Sequence, residues 1–241
     1  MSRPRYARMV LKLSGEVLGG ASGKGLDPDV IRSVLEQVKE VTDLGTQLGI
    51  VIGGGNVLRG GQATGSGLGR VTADYIGMLG TIINGLALRD LGAAQGLRVS
   101  VMSSLPGSGF VESYGVESAI SHLQEGLVVV FAGGTGNPFL TTDTAAALRA
   151  AEIGADVLVK ATKVDGVYSA DPMVDKNAKR FDRISFTDAM KQELGFMDGS
   201  ALWICSQARI PIVVFNIHQE NGLKRVALGE QIGTVVGEVR A

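Results

Sequence analysis

The stretch Leu127-Val128-Val129-Val130-Phe131-Ala132-Gly133-Gly134-Thr135-Gly136-Asn137-Pro138 runs from an unbroken apolar segment straight into a glycine-rich turn. A strand with one wet face alternates apolar and polar residues. Leu127 to Phe131 does not alternate, so it reads as a strand covered on both faces. Such strands belong to mostly parallel sheets flanked by helices, which take ligands at the carboxyl ends of their strands. The pattern repeats outward. Met9 to Leu13, Leu48 to Ile52, Arg98 to Met102, Asp156 to Lys160 and Ile212 to Phe215 are further short apolar runs, and Thr234 to Val236 reads as an edge strand. Helical stretches lie between them. Asp27-Pro28 is an N-cap followed by proline at the first helical position, with Val30, Ile31, Val34, Leu35, Val38 and Val41 at helical spacing until Gly45 stops the helix. Residues 72 to 91, 116 to 124, 142 to 153, 187 to 194 and 199 to 208 also read as helices, the last capped by Asp198. The predicted fold class is α/β, an open, mostly parallel sheet sandwiched between helical layers (αβα). Residues 1 to 241 read as a single domain, with a soft division near residues 161 to 183 where the composition turns polar.

The 241 residues carry 23 Lys+Arg against 24 Asp+Glu, a formal charge of -1, and are 45% hydrophobic. That hydrophobic content excludes a disordered chain, and the even charge balance argues against a nucleic-acid partner. One cysteine, Cys205, excludes a disulfide framework and reads as a small core residue, with Trp203 packed on the same helix. Two histidines, His122 and His218, neither read at a strand end, speak against a histidine zinc site. No metal ligand is assigned among the side chains. Met1 to Arg8 shows no targeting signal, and no stretch reaches the roughly 18 uncharged apolar residues of a membrane span. The expectation is a cytoplasmic protein with no membrane partner. Glycine is the outlier: 35 of 241 residues is about 14%, roughly twice the usual share.

The glycines gather where the strands end. Lys12-Leu13-Ser14-Gly15-Glu16 follows the first strand, and Gly53-Gly54-Gly55-Asn56 with Arg59-Gly60-Gly61 the second. Gly133 to Pro138, then Thr141-Thr142-Asp143 opening a helix, follows the strand at Leu127, and Lys160 to Gly166 the one at Asp156. Glycine runs let successive N–H groups line a concave anion site, a helix N-terminus adds its positive dipole end, and lysine or arginine supplies full charge. Four such loops on one sheet edge suit several phosphates. The common nucleotide motifs are absent. Gly23-Lys24 is followed by Gly25 rather than Ser or Thr, and Gly53-Gly54-Gly55 and Gly134-Thr135-Gly136 meet Leu58 and Phe139 where a third glycine belongs.

Over nearly its whole length the chain resembles the amino acid kinase family. The resemblance rests on Leu11 to Glu16, Val51 to Asn56 with Arg59-Gly60, Gly77-Met78-Leu79 with Asn84 to Ala87, Gly134 to Phe139 with Thr142-Asp143, and Lys160 to Tyr168 with Ala170-Asp171-Pro172. The lysine strand and glycine loops are family-wide, whereas Thr135 to Phe139 and Ala161 to Tyr168 look like the branch that acts on UMP. The resemblance implies an N-terminal lobe of about residues 1 to 160 with the acceptor site and a C-terminal lobe of about 161 to 241 with much of the ATP site. It implies transfer of the γ-phosphoryl of ATP to UMP, giving UDP and ADP in pyrimidine nucleotide biosynthesis, with Mg²⁺ accompanying ATP. It also implies an allosteric homohexamer built from dimers packed through long helices, with residues 27 to 44 and 73 to 91 as candidate faces. Inhibition by UTP is a family expectation, and activation by GTP stays open at Gly19 to Asp27. The nucleophile would be a phosphate oxygen, largely deprotonated near neutral pH because its second pKa is about 6, so no general base is required.

The resemblance assigns Lys12, Asp143 and Lys160 to catalysis. It assigns Lys12, Leu13, Ser14, Gly15, Gly55, Arg59, Thr162, Lys163, Tyr168 and Asp171 to ATP. It assigns Gly54, Asp74, Thr135, Gly136, Asn137, Pro138, Phe139, Leu140, Thr141 and Thr142 to UMP, with Asp74 at the ribose. Plainer readings stand beside these: an N-cap for Asp74, dipole stabilisation for Asp143, a solvated loop charge for Arg59 and Lys163, a core-covering ring for Tyr168. Residues 168 to 183 are read as a lid over the nucleotide. The rivals are a kinase of the same family acting on a carboxylate or carbamate, and a nucleotide sensor without catalysis.

Overall fold

A computed structural model describes residues 3–58, 67–106 and 109–238. Among the described residues nine strands form one sheet: β1 (Arg8–Leu13), β2 (Gln47–Ile52), β3 (Val99–Ser103), β4 (Glu112–Ser113), β5 (Val128–Ala132), β6 (Val157–Thr162), β7 (Arg183–Ile184), β8 (Ile212–Asn216) and β9 (Thr234–Val236). Their order is β4-β3-β5-β2-β1-β6-β8-β9-β7. Every pairing is parallel except β8 with β9. Thr234 to Val236 is therefore not an edge strand, since β7, too short to be read from sequence, covers it.

The helices are α1 (Gly15–Leu18), α2 (Pro28–Thr42), α3 (Arg70–Ala94), α4 (Val116–Gln124), α5 (Thr142–Glu152), α6 (Phe186–Lys191), α7 (Gly199–Ala208) and α8 (Gly222–Ala227). Asp27 caps α2 as its sequence implies, accepting bonds from the N–H groups of Asp29 and Val30. The one-turn α1 and the short α8 show too little periodicity to be read beforehand. Each inner strand sends alternate residues into two separate cores. Met9, Leu11, Ile50, Val130, Val159 and Phe215 pack beneath α2, α3 and α8, whereas Val10, Val51, Phe131, Leu158 and Val214 pack beneath α4, α5 and α7. Helix α3 is apolar and long enough to cross a membrane by length and composition, but it lies across this sheet with nearly half of that window buried.

Strands in parallel share one direction, so the C-terminal ends of β1, β2, β5, β6 and β8 open on the same edge. Two loops there owe their glycines to different causes. A Cβ on Gly54 would lie 2.1 Å from the Gly77 carbonyl oxygen of α3, so this loop and that helix touch backbone to backbone. Gly133, Gly134 and Gly136 instead have φ of 76°, 57° and 79°, which L side chains adopt only with strain.

Candidate active site

Lys12 and Lys160 are register partners on the adjacent strands β1 and β6, so their side chains leave the same face. Beneath them lies the first turn of α5, which carries Asp143. Lys12 Nζ stands 2.7 Å from one carboxylate oxygen and Lys160 Nζ 2.6 Å from the other. Lys160 also donates to the Phe196 carbonyl. All three side chains are almost wholly buried. Burial opposes ionisation of Asp143, yet the two ammonium groups hold its carboxyl below the ordinary carboxylate value. For Lys160 burial, reinforced by the Lys12 charge, outweighs the pull of Asp143 and lowers its pKa. Two cations and one anion leave one positive charge without a counter-ion inside the trio, on the sheet edge where the glycine loops end.

The loop after β5 is held from two sides. Thr81 Oγ1 accepts the Gly133 N–H at 2.7 Å, and Ser104 Oγ donates to the Gly134 carbonyl at 3.0 Å. Farther on, the Phe139 N–H donates to Asp74 at 2.8 Å, and Phe139 itself sits at φ 71°, unusual for an aromatic residue. Asp74 is no N-cap: α3 begins four residues earlier, and both Asp74 oxygens receive the Arg70 Nε–H, at 3.0 and 2.9 Å. The Arg70 guanidinium also lies over the Phe139 ring, 5.3 Å from its centroid. Arg70, Asp74 and Phe139 thus tie the start of α3 to the loop that contains Thr135, Gly136, Asn137, Pro138 and Leu140. Thr141 caps α5 by accepting the Asp143 N–H at 3.0 Å, and Thr142 is that helix's first residue.

Behind the loop after β2, Asn56 and Asn84 exchange side-chain amide bonds of 2.8 Å in both directions. Asn84 also donates to the Gly53 carbonyl and Asn56 to that of Gly25. Asn84 is fully buried, so every polar atom there needs such a partner.

The remaining predicted residues take no part in the trio's ion pairs. Leu13 is buried, Ser14 is the N-cap of α1, and Gly15 opens it. Thr162 Oγ1 accepts from the Val164 N–H, Lys163 is exposed, and Asp171 accepts from the Met173 N–H. The Tyr168 hydroxyl donates to Asp165 at 2.5 Å, and that bond holds the Asp165 carboxyl below its ordinary pKa, with Arg180 assisting. Tyr168 pairs in a bridge with Arg180, which folds residues 169 to 179 outward into an excursion that exposes Met173 by 85%. Gly55 follows Gly54 in the loop after β2, and Arg59 lies outside the described residues.

Three readings are corrected. Asp198 makes no side-chain cap on α7; its carboxylate accepts the hydroxyls of Thr141, at 2.9 Å to either oxygen, and of Thr144, joining that helix to the start of α5. An aspartate before a helix looks the same in sequence whichever bond it makes. Trp203 is not packed but 59% exposed. His218 does stand at a strand end, two residues past β8, where a polar cavity of about 400 Å³ is lined by Asp165, Arg180, Asn216, His218 and Gln219. Attention to the end of β8, itself read correctly, would have found it.

The model of the amino acid kinase family matches residues 7–216. A uridylate kinase of Legionella pneumophila (strain Paris) is 48% identical over 233 residues, covering 97% of this chain and 94% of the relative. One from Vibrio cholerae serotype O1 is 46% identical over 238 residues, covering 99% and 98%. The crystal structure of a UMP kinase from Bacillus anthracis superimposes with a TM-score of 0.93 at 38% identity, covering 98% of this chain and 97% of that one.

Proposed function

The chain belongs to the amino acid kinase family, and on that footing we propose that it transfers the γ-phosphoryl group of ATP to UMP, yielding ADP and UDP. The observation that carries this reading is the Lys12–Asp143–Lys160 trio on adjacent strands, with its unbalanced positive charge at the mouth of two glycine loops. Transfer between two phosphates needs in-line alignment and relief of anion repulsion rather than a base. Lys12 and Lys160 would supply fixed charge to the moving phosphoryl group. Asp143 would hold both ammonium groups apart and aimed, one at each carboxylate oxygen. The acceptor would lie along Gly54, Asp74 and Thr135 to Thr142, with Asp74 taking the ribose once the loop opens from it. ATP would lie along Lys12 to Gly15, Gly55, Arg59, Thr162, Lys163, Tyr168 and Asp171. The polar cavity beyond Asp165 supports placing its adenosine end there, and the excursion at 169 to 179 supports the lid. The acceptor would then belong mainly to the half before residue 160 and ATP to the half after it.

Each Asp143 oxygen already faces an ammonium group, which disfavours a second cation there, so Mg²⁺ would be held chiefly by the ATP phosphate oxygens, where it neutralises charge. Assembly into a homohexamer would use α3, whose Val71, Tyr75, Leu79 and Ile83 are exposed along one stripe, whereas the apolar residues of α2 are buried in its own core. UTP inhibition, GTP activation and a cytoplasmic location belong to the same proposal.

The test is release of ADP with UMP, CMP, N-acetylglutamate and carbamate offered in turn. UMP should give the highest kcat/KM, and a higher value with any other acceptor would refute the substrate assignment.

A further inference from the structure

The back of the acceptor loop rests on a buried arginine for which phosphoryl transfer has no direct use. Arg149 lies on α5, nearly two turns past Asp143, and is only 5% exposed. A buried guanidinium must be paired and hydrogen-bonded. One Nη donates to Glu152, and the guanidinium carbon sits 3.7 Å from the centroid of Tyr114, whose hydroxyl donates to the same Glu152 at 2.5 Å. The other Nη donates to Ser104 Oγ at 2.8 Å, and Ser104 Oγ donates to the Gly134 carbonyl at 3.0 Å. The Ser104 N–H adds a bond to the Ala132 carbonyl at 3.1 Å.

This chain of bonds has a direction. With the guanidinium donating to its lone pair, the Ser104 hydroxyl has its proton committed to Gly134; without Arg149 that hydroxyl is free to rotate. In a planar trans peptide the C=O and the following N–H point opposite ways. Drawing the Gly134 carbonyl toward Ser104 therefore turns the Thr135 N–H away from it. Neither the Gly134 nor the Thr135 N–H has an acceptor among the described residues, and the left-handed φ of Gly133 and Gly134 is the backbone form that makes anion-binding concavities.

We propose that Arg149 is a positioning residue for the acceptor phosphate: through Ser104 it locks the Gly134–Thr135 peptide with its N–H turned to the incoming anion. This rests on the reading of that loop as the UMP site. Ser104→Ala and Arg149→Met, singly and combined, are to be assayed with UMP and ATP varied in turn, and UMP binding to each variant measured by calorimetry. Losing one such bond should raise KM and Kd for UMP about tenfold in each single variant, with KM for ATP within about twofold of the parent. The double variant should be no worse than either single one, because both changes cut one chain. A structural role alone would raise both KM values together or give additive losses, and either result overturns the proposal. An unchanged KM for UMP in Ser104→Ala, which removes a single oxygen, overturns it even where Arg149→Met does not fold. Failure of the unaltered protein to phosphorylate UMP would refute the substrate reading instead.

Discussion

One carboxylate set between two ammonium groups leaves Asp143 and Lys160 both with lowered pKa values, felt at opposite ends of the pH range. The pKa of Lys160 is lowered, so its ammonium loses its proton below an ordinary lysine's range. If the charged form serves the reaction, kcat falls as pH rises through that lowered value, while stability moves the other way, because the folded chain binds fewer protons there than the unfolded one. In Lys160→Arg the charge persists, and the alkaline fall in kcat should move to higher pH or vanish; a pH–rate profile identical to that of the parent would refute the assignment. Asp143 acts at the other limit. Its folded pKa is depressed, so its stabilising share is complete above the unfolded carboxyl value and is lost as pH falls through the folded one. In Asp143→Asn, acid should therefore erode stability, followed by urea unfolding, less steeply than in the parent. Arg70 makes a different kind of prediction. It holds both oxygens of Asp74, the residue assigned to the ribose. Arg70→Met should lower the preference for UMP over dUMP in kcat/KM about tenfold, the worth of one polar contact. A preserved preference would remove Asp74 from the ribose. Little of this arrangement was legible beforehand. Lys12 and Lys160 stood out as cations at the ends of apolar strands, where burial demands a partner, but nothing in the sequence singled out Arg70, Ser104 or Arg149. Their importance lies in contacts across the fold that no local spacing encodes.

The strand-end loops are held by helix α3 as much as by the strands. Gly54 meets the backbone at Gly77, and the Asn56–Asn84 pair locks the same loop from behind. Gly54→Ala must push loop and helix apart, and should cost about 1–3 kcal/mol. Asn84→Leu strands the Gly53 carbonyl and the Asn56 amide in a buried place, and should cost about 2–4 kcal/mol. Denaturant unfolding measures both, and a loss under about 0.5 kcal/mol in both would mean that α3 does not brace the loop. Here the sequence was partly legible. Strands β1, β2, β5, β6 and β8 announced themselves because burial on both faces keeps each run apolar, with Lys12 and Lys160 only near the ends of β1 and β6. The glycines after β2 announced a tight backbone approach without saying to what, and it is in part a helix. β4, β7, α1 and α8, of two to six residues, went unread because they offer neither an unbroken apolar run nor a measurable period. β9 lies inside the sheet because β7, supplied by the segment between β6 and α6, pairs outside it.

Across the molecule, exposed apolar surface is unevenly spread. Helix α2 buries Ile31, Val34, Leu35, Val38 and Val41 and turns Asp29, Arg32 and Asp43 outward in ion pairs. Helix α3 buries Met78, Ile82 and Leu88 yet leaves Leu79 and Ile83 about half exposed, with Val71 and Tyr75 continuing the stripe toward Asp74. A lone surface leucine needs no explanation, but four large apolar residues along one helix form a face that water covers poorly. Helices of two copies laid along that stripe would bury it, and each would set Arg70 and Asp74 close to the shared seam. Assembly and acceptor binding would then be coupled, since whatever orders the start of α3 also orders the residue assigned to the ribose. Leu79→Glu with Ile83→Glu puts four like charges into such a seam and should reduce the mass measured by sedimentation to that of a smaller species, while far-ultraviolet circular dichroism stays unchanged because both positions face away from the core. The same pair of glutamates placed on α2, at Arg32 and Lys39, should leave the mass as it was. Dissociation by the α2 changes and not by those on α3 would move the interface to the other helix, and an unchanged mass in both would exclude either face. If the α3 variant separates, its KM for UMP should rise more than its KM for ATP, because Asp74, proposed for the acceptor ribose, lies on α3 and none of the residues proposed for ATP does.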